Sequence, residues 1–260
     1  MKRLLRPIQG GVFIDDAGQL QINTNRDKLY RDIVLFNTNT SGQLSIDGVR
    51  VIYGYQYNPV ADRPKLAQFR KMIKHPSAVD NIEEFVEAGV LHIDEYIPLD
   101  SFEVVVRIKL SYRPSILDTI YSCLLEHVSK QSMSYELIKA TYQDVEFDEE
   151  KARQALLEAE YSEDDVDELI DSLLVTFDEL KSSDRLFEMK RFLPRAIRTG
   201  FTNFLKFATD AERQAYERLQ GVDVLIYDDL LTSGSTIREM ARYLRSINPS
   251  NTLTAFVLIQ

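Results

Sequence analysis

Two adjacent carboxylates, Asp228 and Asp229, are followed by a run of hydroxyls around one glycine, Thr232-Ser233-Gly234-Ser235-Thr236. Their types and spacing fit together for chemistry. A pair of carboxylates accepts hydrogen bonds from paired hydroxyls such as those of a ribose. A hydroxyl- and glycine-rich turn that opens a helix presents backbone N–H groups to a phosphate, at the end where the helix macrodipole favours negative charge. Gly234 lets the backbone approach a ligand closely or take a positive φ. Together the two halves would hold a sugar phosphate by both ends.

The flanking residues predict the elements that position this run. Val224-Leu225-Ile226-Tyr227 is a short apolar strand, and Ile237, Met240, Ala241 and Leu244 repeat at the spacing of an amphipathic helix. Acids at the end of a strand project at the carboxyl edge of the sheet, where open α/β sheets place ligands. Successive strand residues point to opposite faces, so the turn has to bring both acids toward one sugar. Leu230 and Leu231 are expected to pack that turn from below, and Asp210 and Gly221 to cap the preceding helix.

The run from Val224 to Thr236 resembles the PRPP-binding motif of the type I phosphoribosyltransferases: apolar strand, Asp-Asp, two aliphatics, then a Thr/Ser-Gly-x-Thr loop. Tyr227 departs from it, standing where the family usually has a smaller aliphatic residue. The resemblance implies that Asp228 and Asp229 bind the ribose hydroxyls, one of them steadying positive charge near the anomeric carbon. It also implies that Leu231, Thr232, Ser233, Gly234, Ser235 and Thr236 form the 5′-phosphate loop. The family's reaction displaces pyrophosphate from Mg²⁺-bound PRPP by a nitrogen nucleophile, with the metal carried by PRPP. The family's pyrophosphate loop follows the first core strand, the place of Ser111, Tyr112, Arg113 and Ser115. Its mobile basic loop corresponds to Lys190, Arg191, Arg195 and Arg198. A surface arginine at a helix start and a solvated basic stretch are the plain structural readings of these two segments. The layout also resembles ComF-like competence-associated phosphoribosyltransferase homologues, without their cysteine-rich zinc ribbon and Arg-Gly-Phe-Asn stretch.

The rest of the chain predicts an α/β fold. Gly11–Ile14 and Leu20–Ile22 flank a hairpin turn, and Ile33–Phe36 with Val49–Tyr55 make a second candidate strand pair. Leu66, Phe69, Met72 and Ile73 mark a helix. A short helix from about Val79 to Glu87 and a strand around Val90–Ile93 follow. Phe102–Leu110 reads as a strand carrying two unexplained cations, Arg107 and Lys109. A helix comes next, with Ile116, Ile120, Cys123 and Leu124 on one face, and Leu253–Ile259 is a continuous apolar strand. Strands alternating with helices predict a parallel-sheet phosphoribosyltransferase-like core over 101–260. Residues 1–100 are expected to form a β-rich hood-like region.

Charge is unevenly spread. The net charge is −10, yet residues 144–188 hold 17 Asp/Glu and 4 Lys/Arg, a balance of −13 that leaves +3 elsewhere. This segment predicts two acidic helices, around 149–160 and 164–181, as a helical insertion. It is expected to pack on its own domain or on a second subunit with a solvated acidic face, and a homodimer or protein partner would use it. Its acids lack the alternating spacing and central glycine of an EF-hand loop. The remainder has no strong basic excess, so composition does not indicate nucleic acid. No window approaches the roughly 20 apolar residues of a membrane span. The single cysteine, Cys123, fits a reducing cytoplasm, and His75, His92 and His127 lack metal-ligand spacing. Three functions follow from these readings. One is a Mg²⁺-dependent transferase acting from PRPP on an unidentified nitrogen acceptor. The others are a non-catalytic PRPP or nucleotide sensor, and a partner-docking protein.

Overall fold

The structure, a computed structural model, describes residues 11–16, 19–23, 32–36, 44–59, 61, 63–74, 81–95, 97–109, 115–231 and 234–260. The chain runs through β1 (Gly11–Ile14), β2 (Leu20–Asn23), β3 (Val34–Phe36), β4 (Leu44–Ile46), β5 (Val49–Tyr57), α1 (Arg63–Lys74), α2 (Ile82–Asp94), β6 (Val104–Ile108) and α3 (Ile116–His127). It continues through β7 (Met133–Lys139), β8 (Glu146–Phe147), α4 (Glu149–Glu158), α5 (Glu163–Lys181), β9 (Phe201–Thr202), β10 (Leu205–Phe207), α6 (Asp210–Glu217), β11 (Asp223–Leu230), α7 (Ser235–Ile247) and β12 (Thr252–Ile259). Two compact units result. The first comprises residues 1–135, 219–232 and 250–260, and the second 136–218 and 233–249.

The first unit is α/β, built on a mixed sheet in the order β6-β11-β12-β5-β3-β1-β2, with β4 also on β5. The pairs β6·β11, β11·β12 and β12·β5 are parallel, and the remainder of this sheet is antiparallel. The parallel centre is made of near-continuous apolar runs because both of its faces are covered. In β12, Leu253 to Ile259 are all buried. β1 and β2 pair as the hairpin the sequence predicts, Gly11 opposite Asn23 and Ile14 opposite Leu20. β3 meets β5 with Phe36 opposite Tyr55. β5 thus joins the N-terminal strands to the parallel centre, with Ala255 of β12 opposite its Val51.

The helix expected to stop near Glu87 and the strand expected at Val90–Ile93 are one helix, α2. Its buried residues Ile82, Phe85, Val86, Gly89, Val90 and Ile93 recur at helical spacing, and that period overrides the β-branched character of the last turn. Gly89 lets this helix lie directly on β5. A Cβ there would stand 2.7 Å from Tyr55 Cε2, and one on Gly54 would stand 3.1 Å from the Gly89 backbone. The Tyr55 hydroxyl donates to the Phe85 carbonyl at 2.7 Å, and its ring stacks on Phe85 with centroids 4.6 Å apart.

In the second unit, β8 pairs with β9 and β7 with β10, both antiparallel. The two acidic helices lie where the charge pattern places them, and each starts on a side-chain cap, Asp148 and Ser162. Their inner faces close over aromatic rings: Phe177 lies 6.1 Å from Phe192 and 5.3 Å from Phe201, and Phe187 lies 5.6 Å from Phe204. α6 is capped by Thr209 in a reciprocal capping box with Glu212, so Asp210 is its first helical residue and not its cap. Arg218 closes the helix, and Gly221 lies beyond it at φ 64°. The stripe on α7 is buried as its spacing predicts, with Ile237, Met240, Ala241 and Leu244 inside.

Candidate functional site

Local pairing explains the end of β11. Its register with β6 stops at Ile226, opposite Val106, whereas its register with β12 continues to Leu230, opposite Ile259. Past Ile226, β12 alone pairs with the strand among the described residues, and the strand's carboxylates bond to its own backbone. Asp228 Oδ1 accepts from the Asp229 N–H at 2.9 Å, and Asp229 Oδ1 accepts from the Leu230 N–H at 2.7 Å. The two acids are successive strand residues at the carboxyl edge, both half-buried, and the chain turns only after them. Leu231 donates to the Ile259 carbonyl at 2.8 Å, and Leu230 packs against the core.

Tyr227, the residue before the acids, is buried in the core beside α3. Its side chain is 1% exposed, and its ring lies nearly parallel to Tyr121 on α3, centroids 6.4 Å apart. Burial pushes its phenol well above the ordinary tyrosine range. Among the described residues its hydroxyl has no hydrogen-bond partner. The same stack accounts for one of the two strand cations. The Arg107 guanidinium lies 4.3 Å from the Tyr121 ring centre and 3.9 Å from Asp118 Oδ1. Ser115 caps α3, its N–H donating to Asp118 Oδ2 at 2.9 Å. Ser111, Tyr112 and Arg113 lie outside the described residues.

In the second unit, Gly234 caps α7 at φ 72°, the left-handed region that a residue without Cβ enters at no steric cost. Its carbonyl accepts from the Arg238 N–H at 2.9 Å, starting the helical ladder. Ser235 and Thr236 form the first turn, half-buried, and no acidic residue occupies that turn. The helix start is thereby left electrostatically suited to an anion. Thr232 and Ser233 lie outside the described residues.

The basic stretch is folded into short 3₁₀ turns, Met189–Arg191 and Arg195–Gly200. Lys190 and Arg191 both reach Glu188 at 3.4 Å. Arg198 donates through Nε to the Phe192 carbonyl at 2.9 Å, and burial and neighbouring Arg195 lower its pKa. Sequence reasoning passed over Lys139 in this unit, although its place two residues beyond Leu137 in an alternating strand was a signal.

An open cleft of about 420 Å³ between α2 and α3 is lined by Glu83, Glu87, Asp118, Ser122, Cys123 and Glu126. Its carboxylates oppose a phosphate ligand. Burial, then Glu87 and Glu126, push the Cys123 thiol up to about 12. Among the described residues no group of three or more His, Cys, Asp or Glu could hold a metal ion. The carboxylate oxygens of Asp228 and Asp229 are of the hard kind that suits a cation such as Mg²⁺. Among those residues, no helix is long and apolar enough to cross a membrane. Compared with known proteins, the chain matches no family model and no curated protein sequence.

Proposed function

We propose that this chain is a phosphoribosyltransferase-like protein that binds Mg²⁺-loaded PRPP and transfers its phosphoribosyl group to a nitrogen acceptor, a nucleobase or amine, releasing pyrophosphate. One observation carries the reading: β11, paired in parallel on both sides, bears Asp228 and Asp229 at its carboxyl edge, and the hydroxyl-rich run follows directly in sequence. In this reading the carboxylates take the ribose hydroxyls, and residues 231–236 take the 5′-phosphate on hydroxyls and helix-end N–H groups. The C1–O bond to pyrophosphate breaks with its electron pair on the leaving group, and the acceptor nitrogen forms the C1–N bond. Positive charge grows on the sugar as the bond opens, and a carboxylate fixed nearby lowers the energy of that state. Bound Mg²⁺ would supply charge neutralisation on the pyrophosphate. Ser111, Tyr112, Arg113 and Ser115 are the proposed pyrophosphate contacts, and a reducing cytoplasm is the proposed setting.

Titration with PRPP and Mg²⁺, followed by thermal shift and by pyrophosphate release against a panel of nucleobases and amines, tests this. Stabilisation that is lost in Asp228→Asn and Asp229→Asn, together with release, is the expected result. Stabilisation without release would leave a sensor. No shift with PRPP or any ribose 5-phosphate compound would sink both readings.

A further inference from the structure

The backbone of the second unit gathers four charged side chains. The segment 185–188 runs antiparallel beside the residues that follow β7. The Tyr142 N–H donates to the Arg185 carbonyl at 3.1 Å and the Phe187 N–H to the Ala140 carbonyl at 2.9 Å, with Thr141 opposite Leu186. That register sets Glu188 across from Lys139. The Met189–Arg191 turn then folds Lys190 Nζ and Arg191 Nε onto Glu188 Oε2, each at 3.4 Å. The Glu188 N–H is anchored in turn by the Tyr142 hydroxyl at 3.3 Å.

The charges there do not balance, since three cations share one carboxylate. Lys139 follows Tyr135 and Leu137 on the buried face of β7 and is itself half-buried. Among the described residues its ammonium makes no hydrogen bond and no close ion pair. Burial lowers its pKa, Glu188 pulls it back up, and Lys190 lowers it again. A half-buried cation without a contacting counter-ion is costly, and an anion that reaches it recovers the cost. Phosphate oxygens suit the set, because an ammonium offers three donors, a guanidinium a planar fork, and charge-assisted hydrogen bonds are the strong ones.

We propose that Lys139, Lys190 and Arg191 form a binding site for a phosphate-bearing anion in the second unit, with Glu188 as a built-in competitor that the anion displaces. Lys190 and Arg191 also belong to the basic stretch that the phosphoribosyl resemblance singles out, whereas Lys139 and Glu188 have no part in it, and nothing in the geometry of the four residues depends on PRPP. Calorimetric titration of the full chain with sodium pyrophosphate at low ionic strength tests it. Lys139→Gln and Lys190→Gln are each expected to weaken binding about tenfold or more. Glu188→Gln is expected to tighten it about threefold, a sign that a merely structural ion cluster would not produce. The Lys190 side chain is 82% exposed, so Lys190→Gln and Glu188→Gln carry the test should Lys139→Gln fail to fold. The proposal is overturned if the wild-type chain ignores pyrophosphate or if Glu188→Gln weakens binding. It is equally overturned if Arg113→Gln abolishes binding while Lys139→Gln and Lys190→Gln keep it. Pyrophosphate binding in the expected pattern, with no response to PRPP, would overturn the phosphoribosyl reading alone.

Discussion

Asp228 and Asp229 each spend one oxygen on the N–H of the next residue. Replacing either by Asn keeps an acceptor for that N–H and removes the charge. Hydrogen bonds to charged groups contribute about 1.5–3 kcal/mol. Each substitution is therefore expected to raise the Kd for PRPP by roughly ten- to hundredfold, with little change in thermal midpoint, read by calorimetry beside a melting curve. Tyr227 carries the opposite expectation. Its buried hydroxyl lacks a described partner, so Tyr227→Phe should raise stability by about 1 kcal/mol in urea denaturation. Tyr227→Ala should cost about 3–5 kcal/mol, as for other buried aromatics. Cys123 is expected to be inert. A thiol held up to about 12 by burial, Glu87 and Glu126 carries almost no thiolate at neutral pH. Its alkylation by iodoacetamide should be far slower than that of glutathione, and Glu87→Gln should speed it.

At the scale of elements, α2 and β5 depend on two glycines. Gly89→Ala drives a methyl into the Tyr55 ring, and Gly54→Ala meets helix backbone, so both are expected to cost about 1–3 kcal/mol, measured by chemical denaturation. Much of this layer was legible in the sequence, because period and punctuation are local. The hairpin of β1 and β2, the stripe on α7 and the two acidic helices all follow from them. The β4–β5 hairpin was legible and passed over: its turn is Asp47-Gly48, both at positive φ, the signature of a two-residue turn. The end of α2 was misread because Val90 and Ile93 favour strands in isolation, and only packing on β5 decides otherwise. The acids were legible as a pair. Their attachment to their own backbone was not, since it depends on side-chain rotamers set only in the folded strand. The gathering of Lys139 with Glu188 was equally hidden, because 49 positions of chain separate them.

At the scale of the molecule, the acidic segment is less an appendage than its charge implies. Phe147, Phe177 and Phe187, all within 144–188, share an aromatic cluster with Phe192, Phe201 and Phe204 of the same unit. Gly200 also lies so near α4 that a Cβ there would stand 2.6 Å from the Asp148 carbonyl oxygen. Deleting 144–188 is therefore expected to abolish amide protection throughout 136–218, measured by hydrogen exchange. Charge-neutralising substitutions on the exposed acids should leave that protection intact.

The pairing of β12 with β5 carries a consequence for time. Val51 and Ala255 stand opposite one another although more than two hundred positions of sequence separate them. The centre of the first unit's sheet thus closes the longest loop, and closure entropy must be met before those contacts stabilise anything. Contacts of such high order slow a domain toward the millisecond-to-second range, while a helical hairpin such as α4 and α5 needs only local ones. The carboxyl edge that bears Asp228 and Asp229 belongs to the slow part. Any capacity for ligand it has should appear late in refolding, well after most of the helix has formed.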